Sequence, residues 1–191
     1  MSLILASNSQ IRRLMLEQAG VDFEVRSPDF DEDSARQGLD GEALALRLAK
    51  GKASSIAGNS DDWIIGSDST VTVDGVRYSK PRDRDDAVRH LRAFSGRTML
   101  LSSSVALANY GRIDWSHAET ARLGVRKLSD DFIQSYLDLE WPEVGHCVGV
   151  FRMEGRGVTL FDQVDGSHFT ILGMPLLPLL GALRGRGLIP A

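Results

Sequence analysis

A segment near the N-terminus gathers groups that bind anions. The apolar residues 3–6 run directly into Ser7-Asn8-Ser9, and Arg12 and Arg13 follow in what the pattern predicts as the first turn of a helix. The two serines can cap that helix, whose first backbone N–H groups are unpaired and whose N-terminus is positive. Guanidinium groups suit phosphate oxygens. The segment therefore predicts a phosphate site, unless the arginines lie on a solvated helix face and one pairs with Glu17.

The carboxylate of Asp68 is the strongest candidate for catalysis. It follows the apolar residues 63–66, so the pattern predicts that it lies where a buried strand ends. Catalytic and ligand-binding groups gather at such ends in α/β proteins. A carboxylate there can hold Mg²⁺ or take a proton from water. The alternative is an aspartate that closes the strand through an Asx-type turn.

Two lysines are candidates for meeting the phosphate charge. Lys52 lies three residues after Ala49 and four before Ile56, on the helix stripe that is expected to face the interior. It therefore either reaches past the helix edge or points into a cleft toward an anion. Lys80 precedes Pro81, which fixes the backbone and ends the strand before it, and the alternative is a surface lysine in a turn.

Further acidic residues suggest a metal ligand and a base contact. Residues 29–33 form an acidic loop that is mostly solvated, but one member can complete a metal site with Asp68 because Mg²⁺ needs few protein carboxylates. Glu154, near the end of a predicted strand, can accept hydrogen bonds from a nucleobase edge, or it simply keeps an edge strand soluble.

The elements that must position these residues alternate between helices and strands, with hairpins mixed in. The periodicity predicts helices that end at Gly20, cover 40–57, follow Pro81, begin at a Ser129 cap and follow Pro175. Strands are predicted at residues 3–6, 23–26, 63–66, 70–73, 76–78, 99–108, 118–126, 148–153 and 158–161, with a hairpin turn at Asp74-Gly75. This order favours an α/β fold with a mixed sheet flanked by helices.

Bulk composition narrows the class of protein. The 191 residues suit one domain over 1–191, and 42% hydrophobic residues with 25% charged ones are ordinary for a soluble globular chain. A net charge of −4 argues against a broad nucleic-acid surface. One cysteine, Cys147, excludes an internal disulfide, and the four histidines lack metal spacing. We expect no signal peptide, no membrane contact and a cytoplasmic location.

The order of short motifs resembles the Maf family of nucleoside triphosphate pyrophosphatases over nearly the whole chain. The matching motifs are Leu5-Ala6-Ser7-Asn8-Ser9 with Arg12-Arg13, Asp31-Glu32, residues 48–53, Gly66-Ser67-Asp68, Lys80-Pro81-Arg82-Asp83, Ser95-Gly96-Arg97, Glu154-Gly155 and Gly173-Met174-Pro175. The resemblance implies a long, curved mixed sheet between helical lobes around a phosphate-binding cleft, usually in a homodimer. It also implies hydrolysis of a nucleoside triphosphate to the monophosphate and pyrophosphate with a divalent metal (Mg²⁺, Mn²⁺ or Co²⁺), and an association with septum formation and cell-division arrest.

The same resemblance assigns roles to individual residues. It implies that Asp68 is the catalytic acid/base and a metal ligand, and that Glu32 assists the metal. Its phosphate ligands would be Ser7, Arg12, Lys52 and Lys80, to which the helix pattern adds Arg13.

Base preference in the family is associated with positions 11, 69 and 154. Arg13 with Glu154 favours a 7-methyl-GTP substrate over dTTP or UTP, whereas Ile11 and Ser69 depart from the family pattern. Two other functions stay open at this point. One is a nucleotidyltransferase, which also holds phosphates over an N-terminal strand, loop and helix. The other is a non-catalytic regulator of septum formation.

Overall fold

The computed structural model describes residues 2–35, 38–39, 41–56 and 61–190, without the side chain of Asp33. The helices are α1 (Gln10–Gln18), α2 (Glu32–Ala35), α3 (Gly41–Ser55), α4 (Arg84–Phe94), α5 (Asp130–Glu140), α6 (His168–Leu172) and α7 (Leu176–Arg184). The strands are β1 (Leu3–Ala6), β2 (Glu24–Arg26), β3 (Trp63–Val73), β4 (Val76–Tyr78), β5 (Thr98–Asn109), β6 (Arg112–Val125) and β7 (Phe161–Asp165). Two 3₁₀ segments cover Glu143–His146 and Arg156–Leu160.

The strands form one mixed sheet, which confirms the predicted fold class. Its order is β2-β1-β3-β5-β6-β7, with β4 also paired to β3. β1 pairs in parallel with β2 and β3. The remaining neighbours along this order, β3 with β5, β5 with β6 and β6 with β7, are antiparallel. The hairpin turn at Asp74-Gly75 is confirmed, because both residues have the positive φ (50° and 76°) that a two-residue hairpin favours.

One edge of β3 is covered by two short strands that leave a gap between them. β1 pairs with β3 as far as Gly66, and β4 pairs with it from Val71. Between these two pairings, Ser67–Thr70 have β5 on one side and no strand on the other within the described chain. Several candidate site residues lie at this gap or on the elements beside it, namely Ser7, Arg12, Lys52, Asp68 and Ser69.

Helix α3 lies unusually close to the sheet because Gly66 has no side chain. A Cβ at Gly66 would come within 2.2 Å of the Ala49 carbonyl oxygen and 2.4 Å of the Ala53 nitrogen. The facing positions are also small: Ala106 and Ala108 on β5 pack with Ala49 and Ala53. Small residues on both surfaces therefore bring the α3 backbone down onto β3.

The opposite face of the sheet carries two apolar clusters separated by a polar band. One cluster joins Leu5 and Ile65 to helices α1 and α7, and the other joins Val71 and Met99 to helices α4 and α5. Between the clusters lie hydroxyl side chains of β3 and β5, namely Ser67, Ser69 and Ser103. Helices thus pack against both ends of this face of the sheet.

The clearest errors of the sequence-based prediction concern strand ends. The predicted strands 63–66 and 70–73 are one strand, β3, so Asp68 lies in mid-strand. No strand forms at 148–153, since Gly149 and Val150 have φ of 84° and 58° and turn the chain. Residues 156–160 are 3₁₀, so the last predicted strand begins only at Phe161. The predicted helix ends at 40 and 57 lie outside the described residues.

Candidate functional site

Asp68 lies on the sheet face that α3 covers, where the pairing of β3 with β1 has just ended. Its partner across β5 is Ser104, and the β1 pairing stops two residues earlier at Gly66. The predicted position of Asp68 at a strand end is therefore only partly correct, because the parallel pairing with β1 ends there but the strand does not. The Asp68 side chain is 14% exposed, so it is mostly buried but still accessible to solvent.

Lys52 connects Asp68 to Glu32. The Lys52 ammonium lies 2.9 Å from Asp68 Oδ1 and 2.9 Å from Glu32 Oε1, and the lysine side chain is only 10% exposed. The predicted inward orientation of Lys52 is confirmed, and its position follows from the close contact between α3 and Gly66. The Lys52 ammonium thus forms ion pairs with both carboxylates and keeps them close to each other.

Glu32 reaches this point because its loop is fixed against α3. It begins the short helix α2 rather than lying in an irregular loop. Two residues earlier, the ring of Phe30 occupies the space beside Gly51, where an added Cβ would come within 2.1 Å of the ring. At the other end of the loop, the Ser27 hydroxyl donates a 2.7 Å hydrogen bond to Asn8, next to Ser7.

Arg12 is buried inside the site rather than displayed on its surface. Its Nε donates to the Gly173 carbonyl at 2.9 Å, Nη1 to the Ser67 carbonyl at 3.0 Å and Nη2 to Ser69 Oγ at 3.1 Å. Burial lowers the pKa of the Arg12 guanidinium from its ordinary value, and the carboxylates of Asp68 and Glu32 oppose that shift. A guanidinium has five N–H donors, so phosphate binding by Arg12 would draw on the two that these bonds do not use.

Arg13 lies on the other side of α1. Its side chain is 60% exposed and its Nε lies 2.6 Å from Glu17 Oε1, which is the ion pair that the alternative interpretation expected. Arg12 lies on the buried face of α1 together with Met15 and Leu16, which follow it by about one helical turn. The two adjacent arginines therefore point in different directions, and the structure brings only Arg12 to the gap in β3.

The loop between β1 and α1 supplies Ser7 and Ile11. Ser7 is 5% exposed and follows Ala6, the last residue paired with β3, so it lies level with Ser67. Its hydroxyl accepts the backbone N–H of Ser9 at 3.2 Å. Ser9 occupies the N-cap position of α1 but makes no side-chain cap bond, so the predicted capping by both serines is wrong. Ile11 is half-buried in the first turn.

Lys80 approaches the gap from the opposite end. Tyr78 pairs with Val71, so the antiparallel strand β4 carries the chain back toward the level of Ser69. Lys80 follows two residues later and is exposed. Its turn is tied down by Asp86, which accepts the backbone N–H of Arg82 at 3.1 Å.

Glu154 lies in a turn and not beside a strand end. It is exposed, and it comes near enough to Cys147 to act on that thiol together with Lys80. Burial raises the pKa of the Cys147 thiol, Glu154 raises it further, and Arg152 and Lys80 lower it. The charges of Glu154 and Lys80 thus both act on the Cys147 thiol, in opposite directions.

The carbonyl of Gly173 is a part of the site that residue types alone did not reveal. It accepts hydrogen bonds from Arg12 Nε, from Ser67 Oγ at 3.1 Å and from Ser69 Oγ at 3.2 Å. Gly173 ends α6 with a φ of 110°, a conformation that favours glycine, and Pro175 precedes α7. The signal in the sequence was Gly-Met-Pro, which marks a helix end but not its partners.

The described residues fit a divalent metal through two carboxylates. Asp68 Oδ1 and Glu32 Oε1 each lie 2.9 Å from the Lys52 ammonium, so these two oxygens are separated by at most twice that distance. Two carboxylates with phosphate oxygens and water make a ligand set that Mg²⁺ accepts. In the described part of the chain, no group of three or more His, Cys, Asp or Glu side chains is suitably placed.

Comparison with known proteins gives consistent matches along the chain. The model of the family described as "Maf-like protein" matches residues 2–186. A 7-methyl-GTP pyrophosphatase of Rhizobium meliloti is 42% identical, over 99% of this chain and 98% of its own. A nucleoside triphosphate pyrophosphatase of Nitrobacter winogradskyi is 44% identical, over 98% and 95%. A solved structure, the Ham1 protein of Staphylococcus aureus, is 15% identical with a TM-score of 0.45, over 65% and 72%.

No described helix combines the length and the apolar composition that crossing a membrane requires.

Proposed function

The chain belongs to the Maf-like protein family, and on that premise we propose that it hydrolyses nucleoside triphosphates to the monophosphate and pyrophosphate. The observation that carries the proposal is the Lys52 ammonium placed 2.9 Å from both Asp68 and Glu32 beside the gap in β3. Attack of water on the α-phosphorus breaks its bond to the bridging oxygen and releases pyrophosphate. The reaction needs a base or metal-holding carboxylate and cations for the leaving group.

The described residues divide these tasks among them. Asp68 is the group that takes the proton from the attacking water, and general bases contribute about 10²- to 10⁴-fold in rate. Lys52 and Lys80 meet the triphosphate from two sides of the gap, with Ser7 and Arg12 at its β1 end. In this proposal Arg12 acts mainly by holding Ser67, Ser69 and Gly173 in place, and secondarily as a phosphate ligand. Arg13 is at most a peripheral contact, since it faces away with Glu17.

A divalent cation fits this site through Asp68 and Glu32. Bound there, Mg²⁺, Mn²⁺ or Co²⁺ would neutralise charge on the phosphate oxygens. Lys52 would then give up part of its contact with the two carboxylates and turn its donors toward the phosphates. The ammonium holds the carboxylates together, which keeps the two ligands near each other before a metal arrives.

For the substrate, we propose 7-methyl-GTP ahead of dTTP or UTP. Relatives named 7-methyl-GTP pyrophosphatase cover nearly the whole chain, and Glu154 supplies an exposed carboxylate. The methylated guanine is cationic, so a carboxylate beside it is favourable, whereas a pyrimidine has no such charge. Ile11 and Ser69 complete the set of residues proposed to select the base.

The test is a pyrophosphate-release screen over ordinary and modified nucleoside triphosphates, each with Mg²⁺, Mn²⁺ and Co²⁺. We expect Asp68→Asn to lose at least about 100-fold in kcat with its circular dichroism spectrum unchanged. The matched control is Asp74→Asn, at the exposed hairpin turn that ends the same strand, which keeps full activity. Full activity of Asp68→Asn contradicts the mechanism, and a transfer product formed only with an added sugar phosphate supports a nucleotidyltransferase instead.

Three further expectations come from the family and belong to this proposal. They are a homodimer, a cytoplasmic location and a role in septum formation. Light scattering checks the first. For the last, a division phenotype that survives in Asp68→Asn would favour the non-catalytic regulator.

A further inference from the structure

The hydroxyl of Ser104 is buried without a hydrogen-bond partner. Ser104 is 0% exposed, and Oγ makes no hydrogen bond within the described part of the chain. A buried polar atom left unpaired costs about 1–3 kcal/mol, so such atoms are rare in folded proteins. Ser104 lies on β5 directly opposite Asp68 on β3. The unpaired hydroxyl is therefore the cross-strand neighbour of the candidate catalytic carboxylate.

The other polar groups around Ser104 are already engaged. On the same face, Ser102 Oγ lies 2.8 Å from Thr120 Oγ1, and Thr70 Oγ1 donates to the Gly41 carbonyl at 2.8 Å. The next residues along and across the sheet, Ala106 and Ala118, are apolar. Cross-strand partners in an antiparallel pair have Cβ atoms about 4.5–5.5 Å apart. Rotation of the two side chains is thus enough to bring the Ser104 hydroxyl to the carboxylate.

We propose that Ser104 is a positioning residue for Asp68 that acts in the substrate-bound state. The proposal rests on the proposed pyrophosphatase function. In the free protein, Lys52 holds Asp68 Oδ1 at 2.9 Å, and the serine donor is not needed. When a triphosphate draws the Lys52 ammonium toward its oxygens, the carboxylate loses part of that support. The Ser104 hydroxyl then donates to Asp68 and keeps it aimed at the water.

A donor that aims the carboxylate at the water in the transition state, without touching the substrate itself, raises kcat rather than substrate affinity. Because this hydrogen bond is absent from the free protein, the Ser104 hydroxyl does not stabilise that state. Ser104→Ala removes one oxygen, leaves the packing in place and abolishes an unpaired buried group. We therefore expect kcat to fall about tenfold, KM to stay within about twofold, and Tm to be equal to or higher than that of the wild type.

The matched control is Ser102→Ala, two residues earlier on the same strand and face. Its hydroxyl is paired with Thr120, so its removal breaks an existing hydrogen bond. We expect a lower Tm and an unchanged kcat. The two variants thus have opposite patterns: one loses rate without stability, and the other loses stability without rate.

The measurements are steady-state pyrophosphate release with the best substrate of the screen and thermal unfolding of the same preparations. A Ser104→Ala variant with unchanged kcat overturns the proposal. So does a fall of kcat and Tm together, which indicates an ordinary structural role, or a raised KM at constant kcat. A wild type that releases no pyrophosphate from any triphosphate contradicts the proposed function itself. An active wild type with a fully active variant contradicts only the role of Ser104.

Discussion

Adding one methyl group at Gly66 tests whether the close contact between α3 and β3 positions Lys52. A Cβ there would lie 2.2 Å from the Ala49 carbonyl oxygen and 2.4 Å from the Ala53 nitrogen. Both are backbone atoms of α3, so no side chain can rotate away. To restore normal contact, α3 must move from β3 by about 1 Å, and a displacement of that size in a catalytic group can cost about 100-fold in rate. Lys52 lies between these two contact residues and moves with them.

The cost in stability follows from the same overlap. Overpacking of a core typically costs about 1–3 kcal/mol. In a chain of this length each kcal/mol lowers Tm by about 2–4 °C, so we expect Gly66→Ala to unfold roughly 2–12 °C below the wild type. The expected loss in kcat/KM is about 100-fold at a temperature where the variant is still folded.

The assay is pyrophosphate release at several temperatures below both transitions, combined with thermal scans. Gly181→Ala is the matched control, because Gly181 lies within α7 and an added Cβ meets no described atom within 4 Å. That variant gains up to about 1 kcal/mol, since alanine favours helix, and keeps its activity. If Gly66→Ala retains both the Tm and the kcat/KM of the wild type, the glycine does not set the position of Lys52 and the argument fails.

Two further predictions concern the charged groups. Glu32→Gln removes one of the two carboxylates that share Lys52. We therefore expect the metal concentration for half-maximal activity to rise about tenfold, with activity largely recovered at saturating metal. An unchanged metal titration contradicts the role of Glu32. The backbone N–H of Arg82, then the side chains of Arg89 and Arg82, hold the pKa of Asp86 below its ordinary range. A depressed folded-state pKa stabilises the protein above about pH 4 and ceases to do so as the pH falls through that pKa. Asp86→Asn is therefore expected to lower Tm at pH 7 but progressively less below about pH 4, and a difference that stays constant with pH refutes it.

Local patterns predicted the elements that are fixed by their own residues. Asp74-Gly75 specified its hairpin, and Ser129 caps α5 by accepting the N–H of Phe132 as expected. The helix stripe correctly predicted that Lys52 points inward. Each of these outcomes depends on residues within about one helical turn or one hairpin of each other. Such interactions can be predicted from sequence because the spacing of residues along a helix or strand determines which side chains are neighbours.

Long-range contacts decided what the sequence could not predict. Ser102, Ser103 and Ser104 are three consecutive serines, and only the register of β5 shows that the last faces Asp68 while the second contacts Ser69. Both Arg12 and Arg13 were phosphate candidates, and only the packing of α1 shows that the first is buried and the second exposed. The strand predicted at 148–153 failed because a left-handed pair of residues at Gly149 and Val150 overrides the β-forming side chains.

The unbroken course of β3 limits how the molecule can move around a bound nucleotide. The strand pairs with β5 at eleven successive positions, from Trp63 opposite Asn109 to Val73 opposite Met99, and so passes through both apolar clusters. A hinge between the two clusters would have to break part of this ladder of backbone hydrogen bonds. The two ends of the sheet therefore behave as one rigid platform. Any closing motion around a nucleotide therefore has to leave the pairing of β3 with β5 intact.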